Sequence, residues 1–494
     1  MRLFRRRPIE ALIADTERDS ESLTRVLGAG DLVMLAIGAV IGAGIFGAIG
    51  TAAAGQVLPN GEVVRYGAGP ALVLSFILLG GACALAALCY AELASMIPQA
   101  GSAYAYSYAT LGEVVAWIIG WDLILEYAVG NVAVAISWGD YTKTLLRGFG
   151  ISLPEWLSTG YRTALLSSDP STHALLDTAP RLAGLPILVN LPACGIVIFI
   201  TWLLLRGARE SARANAVMVG IKLLALLLFV GVGAMHLNPA NYTPFAPNGF
   251  AGIHQGAAIV FFAYIGFDAI STAAEETRDP QRNLPIGILG GLAICTAIYV
   301  IVGAVLTGLV PAKDLGVADP LSYALTAIGY TGVGWVVALG AAISMTAVLL
   351  VFQYGQPRIF FAMARDGLLP RWAARVNPKT RIPAVTTTIT GVVVALGAAV
   401  GDAAETYDLT NIGTLFAFVL VCGGVMVLRW QEPTRPRPFR VPMVWVVAPL
   451  GVAACLFVMV GLPAQAWTRF FWWLAIGLVI YATYGYRRSR LGNA

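Results

Sequence analysis

Charge is what this chain of 494 residues has least of: Asp, Glu, Lys and Arg make up 12% of it, against roughly a quarter of an average soluble domain. That is too little to clothe a soluble globule of this length, which excludes one. Histidine is almost missing, and His173, His236 and His254 all fall in or beside stretches read as loops on the outer side. No histidine metal site or intramembrane histidine relay is therefore expected. The six cysteines, Cys83, Cys89, Cys194, Cys295, Cys422 and Cys455, lie in apolar runs without a C-x-x-C pair, so they read as small buried hydrophobes rather than a disulfide framework or zinc site. No phosphate-binding G-x-x-x-x-G-K-[ST] loop occurs, which disfavours direct ATP hydrolysis. Separate soluble domains are missing too, since the largest loop, 148–185, is under forty residues.

What the chain has instead is apolar sequence, 58% of it hydrophobic, with a mean hydropathy of +0.76. A helix needs about 20 apolar residues to cross the hydrocarbon. Runs of that kind fall at 31–54, 70–96, 114–146, 188–205, 212–234, 251–276, 286–310, 333–357, 383–400, 407–428, 443–463 and 467–486, which predicts an all-α integral membrane protein of about twelve transmembrane helices. Pro70, Pro98, Pro285 and Pro383 sit at run ends, where helix punctuation puts proline. Basic residues are 28 Arg and 4 Lys, which with abundant Ala and Gly points to a GC-rich bacterial genome. With the amino end in the cytoplasm, 24 of the 32 fall on the inner side and 7 outside. The positive-inside rule then predicts both termini inside, in the cell membrane. Residues 1–30 read as a retained cytoplasmic segment, 31–428 as a ten-helix core, and 429–494 as two further helices with a cytoplasmic end.

The first run carries four glycines within Ile37–Gly47, each costing about 1 kcal/mol of helix stability against alanine. Gly38 and Gly42 form a G-x-x-x-G that suits a close helix contact. Gly42 and Gly44, two apart, face different ways on a helix, so one neighbour explains one of them and local unwinding explains both. The sixth run repeats the theme with Gly266 and Asp268 after Phe261-Phe262-Ala263-Tyr264-Ile265. Unwound backbone at such depth is tolerated only when buried in protein or lining a cavity. The two runs cross in opposite directions, as an inverted repeat of five helices plus five requires, and paired interruptions point to a transporter binding site. Freed N–H groups attract a carboxylate and freed carbonyls an ammonium; an amino acid carries both.

Taken in order, Ile41-Gly42-Ala43-Gly44-Ile45-Phe46, Gly101-Ser102-Ala103-Tyr104, Phe267-Asp268 and the stretch from Glu275 to Pro285, with the lead Leu3–Ile9, resemble the amino acid–polyamine–organocation superfamily. The likeness is strongest to its bacterial cationic amino acid transporter branch. It implies a LeuT-like fold with helices 1 and 6 unwound and two further helices after the core. It also implies a substrate carboxylate on N–H groups around Ala43, Gly44 and Ile45, and an amino group on carbonyls of Val40 or Ile41 and of Phe262, Ala263 and Ile265. Position 43 is often a hydroxyl residue in relatives; alanine there leaves only backbone recognition. Side-chain selectivity would fall to Phe262, Ile265 and Phe352.

Lys222 lies in the fifth run, about 14 Å from Arg213 at 1.5 Å per residue. A snorkelling stem is the structural alternative; a functional role is the default for an ionisable group this deep. Proton-coupled relatives place a fifth-helix lysine where sodium-coupled ones hold a cation, so the resemblance makes Lys222 the proton-coupling residue. Asp122 and Glu126, at i and i+4, share a face of the third helix. Glu126 and Asp268 are the expected proton- or substrate-linked acids, with a helix cap as the alternative for Asp268 and a structural role for Asp122. Asp31, Glu92, Glu275 and Glu276 read as solvated or salt-bridged, Tyr104, Tyr106 and Tyr108 as candidates for an aromatic belt, and Arg365–Pro370 as an orienting, lipid-facing loop.

The expectation is a secondary active transporter, taking an L-amino acid inward with a proton, and not an enzyme. Its expected partners are the amino acid and membrane lipid, with no nucleic acid, no metal and no cofactor beyond the proton; oligomeric state is left open. Exchange of amino acids or polyamines without net proton movement, and a sensor built on a transporter scaffold, stand as alternatives, and cationic and small neutral substrates both remain open.

Overall fold

The computed structural model describes residues 5–10, 26–97, 102–207, 212–377 and 382–489, with backbone alone at 212, 213, 272 and 275. Pro98, Gly101, Arg209, Lys379, Arg381 and Arg490, most of the 1–30 segment, and the side chains of Arg213 and Glu275 lie outside the described residues. Helix fills every one of the twelve apolar runs. We label them α1a (Ala29–Val40) and α1b (Gly44–Ala54), α2 (Leu72–Met96), α3 (Glu113–Gly148), α4 (Leu191–Leu205), α5 (Ala212–Ala234), α6 (Gly249–Val260), α7 (Pro280–Leu309), α8 (Thr331–Arg365), α9 (Ala384–Val400), α10 (Ala403–Gln431), α11 (Val444–Val460) and α12 (Ala464–Ile480).

Among the described residues seven helices are long and apolar enough to cross a membrane, nine if each of two bent pairs is one span. α4 and α9 are shorter apolar helices. Leu224, Leu227, Val392, Val393, Leu396 and Trp472 stand exposed on these helices. Each such side chain left in water would forgo about 1.5–3 kcal/mol of burial, so the surface is built for lipid. The protein is a multi-pass membrane protein.

Three sequence expectations change. The seventh helix begins at Pro280, so Pro285 lies inside it rather than at its end; its ring removes the one N–H that would donate to the carbonyl of Gln281 in the first turn. Tyr104, Tyr106 and Tyr108 form no interfacial belt: they are buried in a short helix, Ser102–Thr110, and the Tyr104 hydroxyl donates to Asp366 at 2.8 Å. The Arg365–Pro370 loop therefore holds chain to chain, because Asp366 also pairs with Arg7 at 3.3 Å.

Helix packing is close where glycine removes the side chain. A Cβ on Gly291 of α7 would lie 2.2 Å from the Ala36 Cβ of α1a, and one on Gly340 of α8 2.4 Å from Ala225 of α5. Van der Waals packing between small residues is the main association force in lipid. At one end of the bundle a charged clamp adds to it. Buried Glu92 of α2 accepts from Arg429 of α10 at 2.8 and 2.6 Å, from Arg437 at 3.1 Å and from the Val441 N–H at 2.7 Å. Removing one member of a buried ion cluster leaves the others unpaired. Glu92→Ala is expected to cost about 3–5 kcal/mol, read as a large drop in the melting temperature of the purified protein.

Candidate functional site

The first helix stops where its glycines stand. α1a ends at Val40, Ile41 is extended (φ −76°, ψ 103°), and α1b resumes as a π-helical turn at Gly44, bent 47° from α1a. Helix ends leave carbonyls and N–H groups without an intrahelical partner. Side chains from three other helices take the carbonyls. The Lys222 ammonium of α5 donates to Gly38 O at 2.7 Å and Ile41 O at 2.9 Å, and the Ser344 hydroxyl of α8 donates to Ile41 O at 2.9 Å. The Tyr299 hydroxyl of α7 lies 3.0 Å from Val40 O and 2.8 Å from Ala263 O, sharing one proton between the two breaks. Ile41 O thus uses both its lone pairs, while Val40 O and Ala263 O each keep one.

The sixth helix breaks over more residues. After α6 a 3-10 turn covers Phe261–Tyr264, Ile265 is extended, Gly266 sits at φ +114°, and a second 3-10 segment, Asp268–Glu276, follows. The two breaks touch backbone to backbone. A Cβ on Gly44 would stand 2.2 Å from Ala263 Cα, and one on Gly266 3.0 Å from Ala39 O. The glycines of the first helix face four neighbours: Gly38 meets Asn215 of α5, Gly42 meets Val348 of α8, Gly44 meets Ala263, and Gly47 meets Tyr407 of α10. Packing and unwinding both operate here, one neighbour per glycine.

The flanking side chains are aromatic or apolar. Phe262 packs on Tyr407 with ring centroids 4.6 Å apart, and the Tyr407 hydroxyl pairs with Ser137 of α3. Phe352, one turn past Val348, packs on Tyr127 at 5.3 Å and closes against Gly130. Asn411 of α10 donates to the carbonyls of Ala258 and Ile259 at 2.8 and 3.1 Å, and Tyr141 to Phe46 O at 2.7 Å. Sequence reading missed Tyr299, Ser344, Tyr407 and Asn411. Their only signal was a polar group inside an apolar run, which many structural residues share.

The acids form a second group, distinct from the lysine contacts. Glu126 is buried beside Thr414 of α10, within electrostatic reach of Asp268 and Asp122. The Asp268 carboxylate, on the first residue of the second 3-10 segment, lies among the N–H groups of Gly266, Asp268 and Ala269, with Ser102 nearby. Both oxygens of Asp122 are buried without a hydrogen-bond partner among the described residues.

A broken helix pair whose carbonyls are held by a buried lysine fits a solute site. The family model for amino acid permeases matches residues 27–482. The chain belongs to the amino acid permease family. It is 44% identical over 491 residues to the methylthioribose transporter of Bacillus subtilis and 45% identical over 493 to that organism's branched-chain amino acid permease BcaP, covering 99% of each pair. Cationic amino acid transporter 4 of Arabidopsis thaliana, a vacuolar protein, is 36% identical over 442 residues, 87% of this chain and 68% of its own length. These relatives are transporters, and this permease is likewise a transporter, not an enzyme.

The crossing of the two breaks has no room for a methyl group. Gly44→Ala is expected to abolish uptake and lower the melting temperature, whereas Gly220→Ala in α5, where a Cβ meets nothing within 4 Å, is expected to leave both unchanged; radiolabelled uptake and thermal unfolding of the two variants check this.

Proposed function

We propose that this permease carries an α-amino acid into the cell together with a proton, by alternating access around the breaks in α1 and α6. The observation that carries the proposal is the crossing of two unwound segments deep in the bundle, with Lys222 on the first. The substrate carboxylate takes the N–H groups of Ala43, Gly44 and Ile45. Its ammonium takes the remaining lone pairs of Val40 O and Ala263 O with the carbonyls of Phe262 and Ile265; Ile41 O is already occupied. The side chain lies toward Phe262, Ile265 and Phe352, an apolar lining that favours neutral apolar amino acids, in line with the name of the relative BcaP. The proton is the only coupling ion in this reading.

An inverted repeat of helices 1–5 and 6–10 fits the packing. α2 packs on α7 and α4 on α9, pairs that map onto themselves when five is added; α3 with α10 maps onto α8 with α5. The lead and the carboxyl end meet the same face: Arg7 pairs with Asp366, Glu10 with Arg435, and Ser489 with Glu113. That supports both termini on the basic, inner side. At the other end Arg65 pairs with Asp408 of α10 through two hydrogen bonds. Ion pairs at both ends suit a path that opens one side at a time.

The ammonium of Lys222 is a positive charge fixed on the first-helix carbonyls, and releasing its proton would remove that charge and weaken both contacts, loosening α1a from α5. Lys222→Ala is expected to abolish amino acid accumulation driven by an imposed pH gradient in proteoliposomes while counterflow exchange persists. Full proton-driven accumulation by the variant would overturn the coupling role. A second reading follows the other Bacillus relative, whose name specifies methylthioribose, a ligand without a carboxylate or an ammonium. A thermal-shift screen of the twenty amino acids and methylthioribose at two pH values separates the two, because a true ligand stabilises the fold by mass action; stabilisation by a neutral apolar amino acid is expected.

A further inference from the structure

Away from the transport site, a cleft of about 640 Å³ opens at the amino end of α7, beside the loop joining α10 to α11. Its lining divides by polarity along the helix. Asp279, Gln281 and Arg282 form one end; Ile286, Leu289 and, from the loop, Phe439 form the other. Asp279, Arg282 and Ile286 are all exposed. Among the described residues neither the Asp279 carboxylate nor the Arg282 guanidinium has an ion-pair or side-chain hydrogen-bond partner. A free anion and a free cation three residues apart thus stand at the polar end of an apolar channel.

That pattern selects its occupant. A small soluble zwitterion has nothing to place on Ile286 and Leu289, and an anionic lipid with no cationic group meets repulsion from Asp279. From Arg282 to Gly290 the helix rises about 12 Å, room for a phosphate at one end and the first stretch of an acyl chain below it. With both termini on the inner side, as proposed above, the cleft falls on the basic face of the bundle at the level of the lipid headgroups. We propose that this cleft binds an aminophospholipid, phosphatidylethanolamine, with its phosphate on Arg282, its ammonium on Asp279 and an acyl chain along Ile286 and Leu289.

The place matters for transport. Gly290 lines the cleft and also meets Val33 of α1a, while Gly287 and Gly291 beside it meet Leu32 and Ala36. A lipid in the cleft therefore rests against the contact along which α1a slides if the inner side opens. Its binding does not depend on which amino acid is carried.

The test uses the full-length protein, stripped of lipid in detergent and titrated with dioctanoyl phosphatidylethanolamine, phosphatidylglycerol or phosphatidylcholine, with bound lipid counted by native mass spectrometry. One phosphatidylethanolamine should be retained about tenfold more tightly than the others, the effect of one charge-assisted contact. Arg282→Glu and Ile286→Trp should lose that adduct while keeping the thermal shift with amino acid, which shows that the fold and the transport site survive. Asp279→Asn should equalise phosphatidylethanolamine and phosphatidylcholine. Equal retention of all three lipids by the unmodified protein, or an unchanged preference in Asp279→Asn or Arg282→Glu, would overturn the proposal.

Discussion

Inside a bilayer every backbone N–H and C=O must find a partner within the protein, because no water reaches it. A helix cut at mid-depth breaks that rule unless side chains step in. Here the Lys222 ammonium does so, holding Gly38 O and Ile41 O across the break from the fifth helix. Tyr299 and Ser344 add two further donors. The rest of the centre follows from this arrangement. The break persists because its carbonyls are held, and glycines at 44 and 266 let the second break pass against the first.

A lysine used in this way does two things at once. It satisfies carbonyls that would otherwise cost several kcal/mol each, and it places a positive charge beside them. A metal ion in the same position would bind and leave from solution; an ammonium stays tethered and changes only its charge state. The acids Glu126 and Asp268 sit in a separate buried group.

Much of this was legible in the sequence because lipid makes composition informative. Twelve apolar runs became twelve helical runs, and four glycines in the first marked its break. Lys222 stood out because a functional role is the default for a charge this deep in an apolar run, against the alternative of a snorkelling stem. Less legible were the partners. Tyr299 and Ser344 look like any hydroxyl in a membrane helix, and their role depends on where α7 and α8 pack, which spacing alone does not fix. The tyrosines at 104, 106 and 108 misled for the same reason: aromatic residues near a helix end suit an interfacial belt and a buried elbow equally well. Gly42 and Gly44 were read as signs of unwinding, and the structure adds that each also faces its own neighbour.

The central claim is that backbone groups of the two breaks read the α-carboxylate and the α-ammonium together. The most direct measurement is inhibition of uptake of the best-stabilising amino acid by two analogues, one lacking the carboxylate and one lacking the amino group. A site built to hydrogen-bond both groups rejects a ligand missing either, so neither analogue should compete even at roughly a hundredfold excess. Competition by either analogue as strong as that of the unlabelled amino acid would contradict the account.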